Sequence, residues 1–93
     1  MSHFVYILLC ADGSYYIGQT TDLEARVSQH NAGQGAAWTA ARRPVRLVFH
    51  EFAADAIQAA QRERQIKGWS HAKKRALIEG DALALKALAK RRT

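Results

Sequence analysis

Seven consecutive apolar residues, Phe4 to Cys10 (FVYILLC), have no polar side to offer water and demand burial on both faces. A membrane-spanning helix needs about 20 such residues, so the run predicts a central β-strand and excludes a span. No Lys or Arg precedes it and Asp12 closes it, which is not the pattern of a secretory leader. Asp12-Gly13 then marks a turn, and Tyr15-Tyr16-Ile17-Gly18-Gln19 reads as the returning strand of a hairpin.

The register of that hairpin decides where its tyrosines point, because side chains alternate between the two faces of a sheet. A two-residue Asp12-Gly13 loop sets Tyr6 opposite Gln19 and puts Tyr6 and Tyr16 on opposite faces. A three-residue loop, Ala11-Asp12-Gly13, pairs Cys10 with Ser14, Tyr6 with Gly18 and Tyr16 with Leu8. Glycine suits the third loop position, which needs a left-handed residue and makes a bulge. The bulged turn is therefore predicted, with both phenols on one face and Gly18 leaving open space beside Tyr6.

The remaining chain alternates capping signals and stops. Thr21-Asp22-Leu23-Glu24 reads as a capping box with Thr21 as N-cap, for a helix running to about Ala32 and stopping at Gly33. Residues 33–44 form a loop with a short turn near Trp38, and Pro44 leads into a third strand, Val45 to Phe49. Asp55 with Gln58 opens a helix ending at Gly68, Ser70 opens one closed near Gly80, and Asp81 opens the last. The order β-β-α-β-α-α-α predicts an α+β fold, a small three-stranded antiparallel sheet flanked by helices. The chain of 93 residues reads as a single domain, with 81–93 a C-terminal helix and basic tail. One cysteine cannot form an intramolecular disulfide, so nothing asks for an oxidising compartment and a cytoplasmic location is expected.

Charge is unevenly spread. The net charge is +6, yet residues 1–25 hold Asp12, Asp22 and Glu24 and no Lys or Arg. Residues 62–75 hold Arg62, Arg64, Lys67, Lys73, Lys74 and Arg75 against Glu63 alone. These residues, with Arg42, Arg43 and Arg46, are expected to form a surface for a polyanion.

Two side chains look misplaced on their helices. Leu23, Arg26, Val27 and His30 share one face of the first helix, so a guanidinium and an imidazole edge the stripe that should meet the sheet. Either both sit at the rim, with Arg26 reaching water, or they serve chemistry. Glu63 lies on a face made by Ala56, Ala59, Ala60 and Ile66, where a partly desolvated carboxylate needs a cation. That cation is Arg26 or Lys67, or a Mg²⁺ ion held by one carboxylate, waters and phosphate oxygens. The histidines His3, His30, His50 and His71 have no zinc-type spacing, and Cys10 reads as a small core residue.

Val5-Tyr6-Ile7 and Tyr16-Ile17-Gly18, followed by Arg26, His30 and Glu63 in order and spacing, resemble the GIY-YIG nuclease superfamily. The stretch from Gly35-Ala36 through Trp38-Thr39 to Pro44, and Ser70 to Ile78, are similar to its small stand-alone bacterial branch (YhbQ-like). The resemblance covers residues 4 to about 79 and implies an endonuclease that hydrolyses phosphodiester bonds, with DNA favoured over RNA as partner and a place in DNA repair. It implies Mg²⁺ (or Mn²⁺) on Glu63 and no small-molecule cofactor. Arg26 stabilises charge on phosphorus, Tyr6 is the base, and Tyr16 and His30 orient water and phosphate. Gln19, Arg42, Arg43, Lys67, Lys73 and Lys74 contact nucleic acid. With no room for a separate DNA-reading domain, selectivity for structure rather than sequence is expected. The first triplet reads VYI, Gln19 stands where several members have lysine, and Lys73-Lys74-Arg75 stands where many have asparagine. These last two departures favour the alternative, a nucleic-acid-binding module with little or no hydrolytic activity. The oligomeric state is left open.

Overall fold

β1 (His3–Leu9) takes the middle of the sheet, and Val5, Tyr6, Ile7 and Leu8 on it are at most 1% exposed. In the computed structural model, which describes residues 2–91, β2 (Tyr15–Thr20) and β3 (Arg46–Ala53) pair with β1 on either side. The order is β2-β1-β3 and both pairings are antiparallel. Against β3 the register steps between Ile7, opposite Phe49, and Leu8, opposite Leu47. β3 extends past Phe49 to Ala53 because β1 offers partners along its whole length, out to the His3–Ala53 pair.

Five helices are present among the described residues: α1 (Leu23–Asn31), α2 (Ala37–Ala40), α3 (Ala56–Lys67), α4 (His71–Glu79) and α5 (Ala82–Arg91). The fold is α+β as predicted, with the turn near Trp38 tightened into the short helix α2. The capping residues of α3, α4 and α5 are those expected. Asp55 accepts from Gln58 N at 2.8 Å, Ser70 from Lys73 N at 3.1 Å, and Asp81 from Ala84 N at 3.0 Å. α1 starts one residue later than the capping box predicts. Asp22, not Thr21, is its N-cap, accepting from Ala25 N at 3.1 Å. β2 runs to Thr20, whose hydroxyl holds Asp22 N at 3.1 Å, and the carboxylate of Asp22 then satisfies the free N–H.

The two faces of the sheet differ in chemistry. On one, Val5, Ile7 and Ile17 pack with Ala53, Ala59 and Ile66, covered by Trp69, Leu77 and Ile78 from α4 and the segment before it. Ala59 is fully buried, and its small side chain lets α3 approach β1 closely. This face supplies most of the apolar burial, and Ile66→Ala is worth about 2–5 kcal/mol by the usual cost of a core cavity. On the other face, Tyr6, Leu8, Cys10 and Val45 meet Tyr16 and the α1 residues Leu23 and Val27. That second core contains polar groups, and it is where the chemistry lies.

Candidate active site

The hairpin closes through the three-residue loop. Cys10 N donates to Ser14 O and Gly13 N to Cys10 O, both at 2.9 Å, and Gly13 takes φ 86°. Tyr6 pairs with Gly18 and Tyr16 with Leu8. Both phenols therefore share a face, with ring centroids 6.4 Å apart. α1 covers that face and sets the His30 ring 6.0 Å from Tyr6 and 5.0 Å from Tyr16, edge-on to both.

His30 is not at the rim. It is fully buried, as is Thr39 from α2. Tyr6 Oη lies 3.0 Å from His30 Nε2, and Thr39 Oγ1 lies 2.8 Å from His30 Nδ1. Two glycines make room for this group. A Cβ on Gly18 would overlap the Tyr6 hydroxyl, and one on Gly35 would overlap the His30 ring. The space beside Gly18 is thus filled by the phenol itself rather than left open for water. Burial, then the charge of Arg26, hold the His30 pKa below 6.5, so the imidazole is neutral at pH 7. Burial first, then Tyr16, push the Tyr6 phenol up to about 12, against a lowering by Arg26 that exceeds the small further rise from Glu63.

Arg26 and Glu63 are both near enough for their charges to act on the Tyr6 phenol. Arg26 is half-buried on α1. Glu63 belongs to α3, which covers the opposite face, and it opens on a groove of about 250 Å³ lined also by Gln19, Ala60, Arg64 and Lys67. Of the cations weighed from the sequence, Lys67 is the partner found, with Nζ 2.6 Å from Glu63 Oε2. No group of three or more His, Cys, Asp or Glu side chains surrounds it among the described residues. A single carboxylate opening on a groove beside the Gln19 amide fits Mg²⁺, which keeps its waters and takes substrate phosphate oxygens, and does not fit a metal that needs a protein cage.

The basic side chains divide between two sides of the sheet instead of forming one surface. Arg42 follows α2. It stacks 4.0 Å over Trp38, itself stacked 6.0 Å from Tyr16, and bonds Asp12 at 3.2 Å. Arg43 caps the carbonyl of Ala40 at 2.9 Å and lies against Gly33. Lys73, on α4 at the other face, sits 4.2 Å over the Trp69 ring, and Lys74 is half-buried beside it. Arg62 is held by both Glu51 oxygens, at 2.9 and 3.2 Å, and Arg75 by Glu79 at 3.0 Å. Arg46 is exposed at the start of β3.

Sequence reasoning gave no role to three residues that build the site. Thr39 backs His30, Gly35 covers it, and Asn31 bonds Val45 through both its amide groups, at 3.0 and 2.8 Å, anchoring the end of α1 to the start of β3. Thr39 and Gly35 lie in an irregular segment where periodicity carries no information. Asn31 followed by Ala32-Gly33 reads only as a helix end.

Residues 2–76 match the GIY-YIG catalytic domain. The chain is 49% identical over 78 residues to a UPF0213 protein of Bacillus pumilus, covering 84% of this chain and 80% of that one. It is 50% identical over 78 residues to UPF0213 proteins of Staphylococcus aureus, covering 84% and 95%. Two solution NMR structures are similar. The UPF0213 protein BH0048 from Bacillus halodurans has TM-score 0.56 and 39% identity, covering 92% of this chain and 94% of that one. The protein EF2693 from E. faecalis has TM-score 0.61 and 38% identity, covering 89% and 88%. No helix among the described residues is long and apolar enough to cross a membrane. By its match to the catalytic domain and its identity with these relatives, the chain belongs to the GIY-YIG catalytic domain family, a nuclease superfamily, and within it to the UPF0213 proteins.

Proposed function

We propose that this protein is a divalent-metal-dependent endonuclease acting on DNA, selective for structure rather than sequence. The observation that carries this reading is the meeting of Tyr6, Tyr16 and His30 on one face within reach of the charges of Arg26 and Glu63. Glu63 is the residue that would hold Mg²⁺ or Mn²⁺, and the ion when bound supplies a positive charge for the phosphate and leaving oxygens. Arg26 binds the phosphoryl group and meets the charge that grows on it, through its planar fork of donors.

The base assignment shifts on geometric grounds. A base must touch the attacking water. Tyr6 is 1% exposed, its hydroxyl lies against His30, and its pKa stands at about 12. Tyr16 is half-buried, and its hydroxyl has no hydrogen-bond partner among the described residues. Tyr16 is therefore the phenol that meets the water, and a proton reaches the neutral His30 only through Tyr6, whose Oη lies 3.0 Å from Nε2, once Tyr16 bonds Tyr6 in the substrate complex. The water oxygen bonds to phosphorus as its proton passes to Tyr16, the Tyr16 hydrogen to Tyr6 and the Tyr6 hydrogen to His30 Nε2, which returns it to solvent after the product leaves. The bond from phosphorus to the leaving oxygen breaks, and that oxygen takes a proton from solvent. Gln19, Lys67, Arg42, Arg43, Lys73 and Lys74 serve the nucleic-acid strand outside the centre.

One observation favours a second reading, a nucleic-acid-binding module without hydrolysis: Lys67 already neutralises Glu63. A cleavage assay on branched, nicked, single-stranded and duplex DNA, and on RNA, separates the two. Cleavage in Mg²⁺ that Glu63→Gln, Tyr16→Phe and Tyr6→Phe each abolish in folded protein supports the nuclease. Binding to DNA with no cleavage of any substrate supports the module.

A further inference from the structure

We propose that Thr39 is a positioning residue, which holds His30 as the Nδ1–H tautomer and so leaves Nε2 bare to receive the Tyr6 proton. The inference starts from hydrogen counting in a buried chain of groups. Thr39 Oγ1 lies 3.0 Å from Ala36 O, and that carbonyl can only accept. A hydroxyl has one hydrogen, so with it committed to Ala36 the same oxygen meets His30 Nδ1, 2.8 Å away, as an acceptor. Nδ1 must then carry the imidazole hydrogen. Nε2 of the neutral ring is left with its lone pair aimed at Tyr6 Oη, 3.0 Å away, and the phenol donates to it.

The tautomer decides what the site can do. With Nδ1–H fixed, the Tyr6 hydrogen points inward at an empty acceptor, and the phenolic lone pairs remain for the groups on its other side. With Nε2–H, His30 would donate to Tyr6 and could take no proton from it. Tyr6, His30 and Thr39 are 1%, 0% and 0% exposed, so no bulk water can rescue the wrong arrangement. Ring rotation is blocked as well, because Gly35 lies so close to the imidazole that a Cβ there would overlap it. α2 serves this purpose as a unit. Trp38 stacks on Tyr16 while Thr39, the next residue, turns inward to His30 and donates its hydroxyl to Ala36 O.

The use of the stored proton rests on the nuclease reading, whereas the tautomer does not. The test therefore measures both in the full chain. Two-bond proton–nitrogen correlation spectra of ¹⁵N-labelled protein report which His30 nitrogen carries hydrogen, in wild type, Thr39→Ser and Thr39→Val. Cleavage of branched DNA in Mg²⁺ gives kcat and KM for the same three proteins. Wild type and Thr39→Ser should show Nδ1–H and equal kcat. Thr39→Val should shift His30 toward Nε2–H and lower kcat on the order of 10²-fold with KM unchanged, the scale of a lost acid–base contribution. A wild-type His30 found as Nε2–H overturns the proposal. So does a Thr39→Ser variant that fails to keep Nδ1–H, or a folded Thr39→Val variant that keeps the wild-type tautomer. Should Thr39→Val not fold, the wild-type and Thr39→Ser spectra decide. A wild type that cuts nothing but shows Nδ1–H refutes the nuclease reading and leaves the positioning role of Thr39 standing.

Discussion

Lys67 Nζ stands 2.6 Å from Glu63 Oε2, one helical turn away, so the carboxylate assigned to a metal already holds a cation. The lysine is 53% exposed, and pairs of this kind are worth about 0.3–0.5 kcal/mol, so a divalent ion can displace it. Lys67→Met should tighten Mn²⁺ binding by roughly twofold, the same energy expressed as an affinity. Paramagnetic broadening of the Glu63 and Gln19 amide signals measures it. Binding that weakens in the variant would mean that the ion is held elsewhere.

Gly18→Ala and Gly35→Ala should each destabilise the fold by about 1–3 kcal/mol, the range for overpacking a filled interior. Each new methyl would displace a different member of the Tyr6–His30 pair, the phenol in one case and the imidazole in the other. Gly13→Ala is the comparison. Its methyl meets nothing within 4 Å, and its cost is the left-handed backbone, about 1–2 kcal/mol. Urea titration gives all three values. Cleavage per folded molecule should fall for Gly18→Ala and Gly35→Ala and hold for Gly13→Ala.

The pH dependence has two arms with opposite signs. Folding holds the His30 pKa below 6.5, so on acidification through 6.5 the unfolded chain binds a proton before the folded one. Stability is present above 6.5 and declines below it until the folded value is passed. Folding raises the Tyr6 phenol from 10.0 to about 12, so its contribution is intact below 10 and is lost as pH rises toward 12. Thermal midpoints of wild type and His30→Gln should converge as pH falls from 7 to 5. In an alkaline absorbance titration, Tyr6→Phe should lack the phase near 12.

Binding to duplex DNA should weaken with salt, with a log–log slope of roughly −0.9 for each phosphate contact. Lys73→Ala and Lys74→Ala should each flatten the slope by about one contact. Arg62→Ala should change it less, because Glu51 already neutralises that guanidinium from two sides. An equal effect of all three would show that the Arg62–Glu51 pair opens on binding.

The hairpin was legible because its determinants are local. A seven-residue apolar run, a turn glycine and strict alternation suffice to place Tyr6 and Tyr16 together. The caps of α3, α4 and α5 were legible for the same reason, each being one side chain meeting an N–H three residues on. The cap of α1 shifted by one residue because the end of β2, set by pairing with β1, determined where the helix could begin. His30 was assigned to the rim or to chemistry with nothing local to choose between them. Its burial depends on a hydroxyl nine residues away, and no periodicity connects a helix to the irregular segment that closes over it. The division of basic residues between two faces was hidden for a similar reason, since a charge count along the chain ignores which layer each helix joins.

Cys10 lies in the same cluster as Tyr6 and Leu8, is 4% exposed, and burial raises its thiol pKa. Only the thiolate reacts with alkylating reagents, so in the closed protein this sulfur is shielded twice, by packing and by protonation. Because the chain has one cysteine, every molecule labelled under native conditions records a single kind of event, an opening of the layer that holds the phenols. The labelling rate is thus a clock built into the domain. It counts how often the layer that holds the phenols opens, by itself or with the whole fold.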